Sequence, residues 1–467
     1  MMDDLTDILE QFDNLFWLVP FVLIAGLGVY ATIKFKGIQF THLKEMFKVT
    51  FSREKRDNNS VTSFQVFCLS MGNRVGIGNI AGPVTAIISG GPGAIFWMWV
   101  FAALGGATCF MESTIGQLFK SRDKDGGFEG GPAFNVSKGL NMKRFGMLIA
   151  FLMILMYLVG YISSEVSAIS EAFCEAFVFD NNALILAIVM TLMTAAITLG
   201  GFKRVAKASS LIVPFMAIAW IIMCIIVILV NFQNIGNAFL MIFRFAFNPP
   251  AFVGGLFGAL LWGMRRGIWS NEAGIGTITN VSSKADVRHP VTQGLSQSLG
   301  VFFDTIICTI TALVVLSFSG FDPDMRITQD SMPYLQNIFA SVFGNAASVL
   351  VFFFIFLFAL TCLMGDYVIG ENNMKFITGS KYSRWMIMAM TMIVVFISCF
   401  FASDAVFVIL DILLAVVGII NVFVIFRLSK RAIEAYQDYR RQRDGGVADP
   451  EFHKDALSVD TGITEWE

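Results

Sequence analysis

The feature that most constrains this chain is a series of eleven apolar stretches, each long enough to cross a membrane as a helix. They are predicted at 15–33, 62–90, 94–119, 146–169, 183–200, 209–231, 251–283, 293–318, 345–370, 385–402 and 405–426. A helix crosses the hydrocarbon core of a bilayer in roughly 20 residues. Hydrophobic residues make up 56% of the sequence and charged residues only 15%, which excludes a soluble enzyme, a disordered chain and a nucleic-acid-binding protein. We therefore predict an all-α polytopic membrane protein with about eleven transmembrane helices.

The positions of the basic residues predict how the chain is oriented. Cytoplasmic segments of membrane proteins are enriched in Lys and Arg. Most of the 33 basic residues fall in segments that are cytoplasmic if the N-terminus lies outside and the C-terminus inside. Only Arg244 and Arg326 would then lie outside. We therefore predict a multi-pass protein of the cell membrane, in a bacterium the inner membrane, in contact with lipid.

Two of the predicted spans contain the same interruption. The second span reads SMGNRVGIGNIAGP and the seventh reads GIWSNEAGIGTITN, and both contain N-x-x-G-I-G, at 73–78 and 271–276. Spans 2–6 and 7–11 form two blocks of five, and an odd number of helices turns the second block upside down. Gly-bearing, interrupted helices at matching places in inverted repeats are typical of a transporter binding site near the bilayer midplane.

The chain is accordingly divided into five parts. These are an extracellular N-terminus at 1–14, an extra helix with a cytoplasmic loop at 15–60, a first repeat at 61–231, a second repeat at 251–427 and a cytoplasmic tail at 428–467. We expect the tail to begin as a basic helix and to end disordered. We also expect the DKDGGFEGG part of the loop 120–145 to be flexible.

The interruptions supply the candidate substrate site. Unwound backbone within a membrane needs partners, and freed N–H groups at helix ends can hold a carboxylate while freed carbonyls can hold Na⁺. Trp269 beside the second interruption is a candidate pocket wall. The other candidates of this group are Asn73, Gly76, Ile77, Gly78, Asn271 and Gly274.

The glycines have two other interpretations. Glycine in a membrane helix often serves only close helix packing, but two matched copies with flanking Asn favour a binding site. A dinucleotide fingerprint in GIGNIAG requires a soluble strand–helix unit, which the apolar context excludes.

The sequence resembles a known family. The segments SMGNRVGIGNIAGPVTAIISGGPGAIFWMW and RRGIWSNEAGIGT, with HPVTQG further on, are similar to signature segments of the alanine/glycine:cation symporters, and the resemblance extends over about 15–427. It implies a LeuT-type fold of five plus five inverted helices preceded by one extra helix. It also implies uptake of a small neutral amino acid driven by Na⁺, or by H⁺, with no other cofactor. The segment GNRVGIGN is similar to the unwound first core helix of the neurotransmitter:sodium symporters.

The resemblance also implies ion ligands. Asn79 resembles a sodium-ligating Asn of LeuT-type proteins, and the carbonyls of Gly72 and Val75 would serve a second sodium. Thr361 would add a hydroxyl to this second site. Its neighbour Cys362 departs from the family, which usually has a hydroxyl pair there, and a thiol is a poor ligand for Na⁺.

Two buried acids also depart from the family pattern. Glu165 stands where the family has a substrate-contacting Gln, and Asp366 stands where it usually has a Trp covering the substrate. If both face the pocket, a cationic or larger polar amino acid, a glutamine-like one, an extra cation or proton coupling become alternatives to alanine or glycine. The alternatives without a functional role are that Glu165 lies at a helix end in contact with water and that Asp366 pairs with a basic residue. Glu272 is as well explained by an ion pair with Arg74, Arg265 or Arg266 as by contact with substrate or a cation.

Functions of other classes are disfavoured. The three His residues lie in predicted cytoplasmic segments, so an intramembrane enzyme site built on His is excluded. A channel would normally repeat its selectivity elements by oligomer symmetry, whereas this chain carries its own inverted pair. The predicted partners are therefore an amino acid and Na⁺, without nucleic acid; the sequence does not determine the oligomeric state.

Overall fold

The computed structural model describes residues 16–52, 61–123, 126–177, 179–248, 253–323, 327, 329–380, 382–400 and 403–466. The predicted extracellular N-terminus at 1–14 lies outside the described residues. The described chain is almost entirely helical, and each of the eleven predicted spans coincides with one helix or with two consecutive helices.

The described residues of the first half form nine longer helices. They are α1 (Leu18–Lys34), α2 (Leu43–Thr50), α3 (Ser63–Arg74), α4 (Ile77–Gly90), α5 (Ala94–Leu118), α6 (Lys143–Leu155), α7 (Ser163–Ala176), α8 (Asn182–Thr198) and α9 (Gly201–Val230). A π-helical segment, Met156–Ile162, joins α6 to α7. Such a segment inside a helix is frequent at functional sites.

In the second half, the part of the chain that the structure describes forms seven longer helices. They are α10 (Ile235–Phe247), α11 (Gly255–Asn271), α12 (Pro290–Ser317), α13 (Ser331–Phe343), α14 (Ala347–Thr378), α15 (Ser383–Ser398) and α16 (Ser403–Asp444). The short helix Thr279–Ser282 follows α11 after an unwound stretch. Short 3₁₀ turns lie at Phe232–Asn234, Gly344–Ala346 and Lys454–Ala456.

The ends of the helices follow local chemistry. Thr62 and Gln65 form a reciprocal capping box before α3, with the Gln65 N–H donating to the Thr62 hydroxyl over 3.2 Å. Pro290 is the first residue of α12, where a missing N–H costs nothing. Gly379 ends α14 in the left-handed region, φ 60°.

Length and apolarity mark the membrane-spanning helices. Within the described residues, six helical stretches are long and apolar enough to cross a membrane: Ala94–Leu118, Lys143–Cys174, Gly201–Val230, Pro290–Ser317, Ser331–Thr378 and Val406–Asp444. Four shorter apolar helices accompany them: Leu18–Lys34, Ile77–Gly90, Asn182–Thr198 and Ser383–Ser398. The all-α polytopic fold predicted from the sequence is confirmed.

Burial separates a central bundle from an outer layer. Every residue of α5 from Gly105 to Leu118 is buried, and so is every residue of α14 from Phe358 to Met374. A helix buried on all sides lies inside the bundle. In contrast, α8 and α9 expose large apolar side chains such as Leu192 and Leu211, as expected for surfaces that face lipid.

The structure describes folded segments in the tail and in most of the loop, where the sequence predicts disorder and flexibility; residues 124 and 125 of the DKDGGFEGG stretch lie outside the described residues. The loop after α5 contains the antiparallel pair β1 (Ser121–Arg122) and β2 (Phe128–Glu129), with Ser121 opposite Glu129, and then the short helix Pro132–Phe134 and the π-helical turn Asn135–Gly139. The tail continues as helix to Asp444, and residues 445–466 then fold back onto the protein. Both segments are held by tertiary contacts that no local pattern in the sequence indicates. Between α1 and α2 lies one further short helix, Ile38–Thr41.

Candidate functional site

The first interruption is short and is shaped by glycine. The α3 helix ends at Arg74, and α4 begins at Ile77. The Gly76 N–H donates to the Asn79 side-chain oxygen over 3.1 Å. A Cβ atom on Gly76 would lie 2.3 Å from the Cys362 sulfur, so only glycine lets α14 approach the backbone this closely.

The second interruption is longer. After Asn271 the chain turns through Glu272, a non-glycine residue in the left-handed region, and the next helix does not begin until Thr279. Gly274 and Gly276 both have φ of +89°, a conformation that other residues rarely adopt. The Gly274 carbonyl accepts a hydrogen bond from the Asn421 side chain over 2.8 Å.

The two interruptions are joined by side chains. The amide of Asn73 donates to both carboxylate oxygens of Glu272, over 3.3 and 3.1 Å. The hydroxyl of Thr277 donates to the same carboxylate over 2.7 Å. These contacts link residues 199 positions apart and hold the two broken helices against each other.

A buried polar cluster lies beside this junction. The Asn79 amide donates to the Asp304 carboxylate over 2.6 Å, and the Ser270 hydroxyl donates to its two oxygens over 2.9 and 2.8 Å. The Cys308 sulfur is 3.2 Å from the Asn79 amide nitrogen. Carboxylate, hydroxyl and amide oxygens are the hard ligands that Na⁺ prefers. We call Asn79, Ser270 and Asp304 the ion cluster.

The residues predicted for a second sodium site do meet. The Cys362 thiol donates to the Gly72 carbonyl over 3.2 Å, and Thr361 packs against Gly72. The Thr361 hydroxyl, however, donates to the Phe358 carbonyl over 2.8 Å. Val75, also predicted for this site, is buried between α3 and α4. An ion here would have to displace the thiol from the Gly72 carbonyl.

Glu165 and Asp366 are both deeply buried near the first interruption. Glu165 lies beside Gly76, with one carboxylate oxygen 3.0 Å from the position of a Cβ there, and it receives the N–H of Ile77. Asp366 lies close enough to Glu165 and Glu272 for their charges to interact. The alternatives of a solvated Glu165 and of an Asp366 paired with a basic residue do not hold in this arrangement.

A cavity opens toward one end of the bundle. It has a volume of about 510 Å³, and Ile77 and Trp269 contribute to its lining. Arg265 and Arg266 also line it, and each donates to the Asp411 carboxylate over 2.7 Å. These two arginines therefore pair with Asp411 rather than with Glu272. Trp269 packs edge-on against Phe407, with ring centroids 5.4 Å apart.

Three residues predicted to bind substrate make contacts other than with Glu165 and Asp366. Gly78 packs against Ser270 and the Trp269 ring. Gly274 faces Ile24 and Thr108. The Asn271 side-chain oxygen accepts the N–H of Ala273 over 2.9 Å and so stabilises the turn.

Ser270 and Cys308 belong to the polar cluster, but the sequence does not predict them as site residues. Ser270 is a single small polar residue between Trp269 and Asn271, and Cys308 stands in an apolar run. Neither carries a local signal. Asp304 did carry one, because an acid inside a span is costly and invites a functional explanation.

The site combines three features: two interrupted helices that contact each other at their interruptions, a buried polar cluster, and a cavity open to one end. Together they define a secondary transporter of the inverted-repeat type. The chain belongs to the sodium:alanine symporter family, whose family model matches residues 2–454. It is therefore a transporter and not an enzyme.

Relatives of this chain carry names of amino-acid symporters. The probable sodium/glutamine symporter GlnT of Bacillus subtilis is 38% identical over 454 residues, which cover 95% of this chain and 92% of GlnT. The sodium/alanine symporter AgcS of Methanococcus maripaludis is 34% identical over 369 residues, covering 78% of this chain and 81% of AgcS. Among solved structures, MhsT in complex with L-phenylalanine is similar with a TM-score of 0.58 at 16% identity, covering 80% of this chain and 89% of MhsT. This likeness shows the LeuT-type fold.

Proposed function

We propose that this protein couples the inward movement of Na⁺ to the uptake of a small amino acid across the cell membrane. Membership of the sodium:alanine symporter family supports the coupling, and relatives named for alanine and for glutamine bracket the substrate size. The proposed orientation has the N-terminus outside and the C-terminus in the cytoplasm, in a bacterium across the inner membrane. Alanine, glycine and glutamine are the first substrates to test.

The observation that carries the proposal is the ion cluster at the junction of the broken helices. Asp304 is 1% exposed and is surrounded by the Asn79 amide and the Ser270 hydroxyl. The Asn79 amide hydrogens point at Asp304 in this arrangement. We infer that Na⁺ takes their place, with the amide turning so that its oxygen joins the carboxylate and the hydroxyl as ligands.

The amino acid is proposed to bind between the cavity and the first interruption. Ile77 and Trp269 line the cavity, and Ala168 and Glu171 of α7 line it as well. Glu165 lies one turn before Ala168 on the same helix, so it lies deeper than the cavity wall. A volume of about 510 Å³ falls within the usual range of small-molecule sites.

Uptake into proteoliposomes tests this proposal. Radiolabelled alanine, glycine and glutamine are offered with an inward Na⁺ gradient, with and without a sodium ionophore. We expect saturable uptake of at least one of them that disappears when the gradient is collapsed. The Asp304→Asn variant should need a higher Na⁺ concentration for half-maximal uptake.

Two results would contradict the proposal. Uptake that is unchanged by the ionophore and independent of any cation gradient would exclude symport. A sodium current that flows without amino acid and does not saturate would favour a channel instead.

A further inference from the structure

Among the described residues, two buried carboxylates near the first interruption have no partner of opposite charge. Asp366 is 1% exposed, and neither of its carboxylate oxygens has a hydrogen-bond partner within the described part of the chain. Glu165 is 3% exposed, and one of its oxygens is likewise without a partner there. An ionised carboxylate buried without a partner is strongly unfavourable, so such a group normally binds a cation or a proton.

The guanidinium of Arg74 balances other acids of the centre. It is close enough to interact with the carboxylates of Glu112, Glu272 and Asp304. Neither Glu165 nor Asp366 has it, or any other cationic side chain of the described residues, among its electrostatic neighbours. The neighbours of Asp366 are acids, which makes its isolation more costly.

Glu165 already occupies the helix end where a substrate carboxylate was expected. The N-terminus of α4 is an anion site because its first N–H groups are free. The Ile77 N–H at this end is directed at the Glu165 carboxylate. A further group that binds here therefore has to be positive rather than negative.

We propose that Glu165 and Asp366, with Glu272 beside them, form a subsite for a monovalent positive charge, separate from the ion cluster. We call these three residues the acidic subsite. The inference rests on the proposed function and extends it. The charge comes either from a free coupling ion, Na⁺ or H⁺, or from the ammonium or guanidinium group of a basic amino acid.

Other titratable groups face Asp366 and must be considered in any pH experiment. Tyr157 and Tyr161 of the π-helical segment, Cys362 one turn earlier on α14, and the two other acids interact with it electrostatically. Because Tyr and Cys are neutral near pH 7, a change in charge at neutral pH is assigned to the carboxylates.

The test compares the full-length protein with Glu165→Gln, Asp366→Asn and a control, Glu371→Gln. Glu371 is another largely buried acid of α14, but it already pairs with Lys375 over 3.3 Å. First, the number of Na⁺ ions bound per protein is measured with radioactive sodium. Second, uptake of the best substrate is driven by an inward proton gradient without a Na⁺ gradient.

The third measurement is competition by lysine and by alanine at saturating Na⁺. If the charge is a free ion, Asp366→Asn should lose one bound Na⁺ or lose proton-driven uptake. If the charge belongs to the substrate, lysine competes with the wild type. The variant should then lose that competition by about tenfold or more relative to alanine, as expected for a lost buried charge pair. If Asp366→Asn does not fold, the same three measurements on Glu165→Gln test the inference.

The inference is overturned if Glu165→Gln and Asp366→Asn match the control in all three measurements. This outcome leaves the proposed function intact, because the wild type still shows sodium-driven uptake. A wild type without cation-driven uptake of any amino acid would instead remove the proposed function, and the acidic subsite with it.

An independent observation concerns residues 445–466, which we call the C-terminal strap. After α16 the chain turns at Gly446, with φ of +87°, and runs back across one end of the bundle. Four of its apolar side chains are buried: Phe452, Leu457, Ile463 and Trp466.

Trp466 lies over the contact between the end of α5 and the segment that follows the second interruption. We call this contact the joint. Its indole N–H donates to the carbonyl of Gln117 at the end of α5 over 2.9 Å. The Gln117 amide donates in turn to the carbonyl of Ser282, just after the second interruption. The Lys120 ammonium lies 4.5 Å from the Trp466 ring centroid and donates to the Ala285 carbonyl over 3.1 Å.

Other residues of the strap also bind the two segments that meet at the joint. The Phe452 N–H donates to the Arg288 carbonyl over 3.0 Å, and Glu465 forms an ion pair with Arg122 over 3.6 Å. The cavity opens at the other end of the bundle, where α13 residues line it. Alternating access requires the two sides of the joint to separate.

The geometry points to the strap as a latch that holds this end closed while the cavity is open at the other end. The reporter is Ser282→Cys, a buried position at the joint, labelled with a membrane-permeant maleimide and corrected for a parent without it. Trp466→Ala should raise the labelling rate more than about tenfold, because truncating a buried Trp removes much of the packing. Trp385→Ala, at an exposed Trp on α15, is the control and should change nothing.

Trypsin cleavage at Lys454 reports whether the strap is docked. Slow cleavage in the wild type and fast cleavage in Trp466→Ala are expected. Equal, rapid cleavage of both would overturn the latch, because the strap would not be bound. Fast cleavage of the variant without faster labelling of the reporter would also overturn it, because the released strap would not affect the joint.

Discussion

Replacing Gly76 by Ala is the sharpest test of how the first interruption works. The φ of Gly76 is −121°, which other residues adopt readily, so the substitution introduces no backbone strain. What it introduces is a collision. The new Cβ would lie 2.3 Å from the Cys362 sulfur and 3.0 Å from a Glu165 carboxylate oxygen.

The size of the effect follows from this geometry. The Glu165 oxygen ends a side chain that can move, whereas the Cys362 sulfur is held on a fully buried stretch of α14. Overpacking of this kind costs about 1–3 kcal/mol. A cost of that size corresponds to roughly a five- to 150-fold weakening of any ligand binding that needs the present arrangement.

Gly78 supplies a matched control. A Cβ there would have only ordinary contacts, 3.5 Å to Ser270 and 3.8 Å to Trp269, so Gly78→Ala should be tolerated. Removing the sulfur should relieve the collision, and Gly76→Ala combined with Cys362→Ala should regain most of the activity. Sodium-dependent uptake and the thermal midpoint in detergent are measured for all four proteins, including Cys362→Ala alone.

Two results would refute the reasoning. Normal uptake by Gly76→Ala would mean that α14 does not approach the backbone as closely as described. Failure of Cys362→Ala to restore any activity would mean that the sulfur is not the obstacle.

Three further predictions concern the ion cluster, the orientation and His289, whose ring packs against Phe452 of the strap with centroids 5.1 Å apart. Asn79→Ala and Asp304→Asn should each raise the half-saturating Na⁺ concentration, because leaving a buried group unpaired costs about 1–3 kcal/mol of binding free energy. Unchanged sodium titrations would mean that Na⁺ binds at another place. A cysteine at Ser319 should react with an impermeant reagent added outside, whereas a cysteine at Lys143 should not, and the reverse pattern would invert the topology. Burial lowers the pKa of His289 from 6.5 against the opposing effect of its carboxylate neighbour. The stability that neutral His289 contributes is therefore complete above about pH 6.5 and lost as the pH falls through the lowered pKa. Hydrogen exchange of the strap, corrected for its intrinsic pH dependence, should accelerate in acid in the wild type but not in His289→Gln.

The sequence alone determined the elements of the fold and the two places where they break. A bilayer requires long apolar segments, and this requirement can be read from local composition. The glycines of the second interruption also indicate it in the sequence, because positive φ values such as those of Gly274 and Gly276 strongly favour glycine. The matched motifs at 73–78 and 271–276 predicted that these breaks form one site.

Only the tertiary structure decided which charged and polar groups meet. Asn79 and Asp304 are 225 positions apart, and Trp466 is 349 positions from Gln117. Arg265 could have paired with Glu272, which is near in sequence, but it pairs with Asp411 on a distant helix. A buried side chain takes the partner that the packed helices bring within about 3 Å, and this distance depends on how helices far apart in the chain are arranged. Local sequence patterns do not contain that arrangement, so the pairing of the acids and the docking of the strap emerged only from the folded structure.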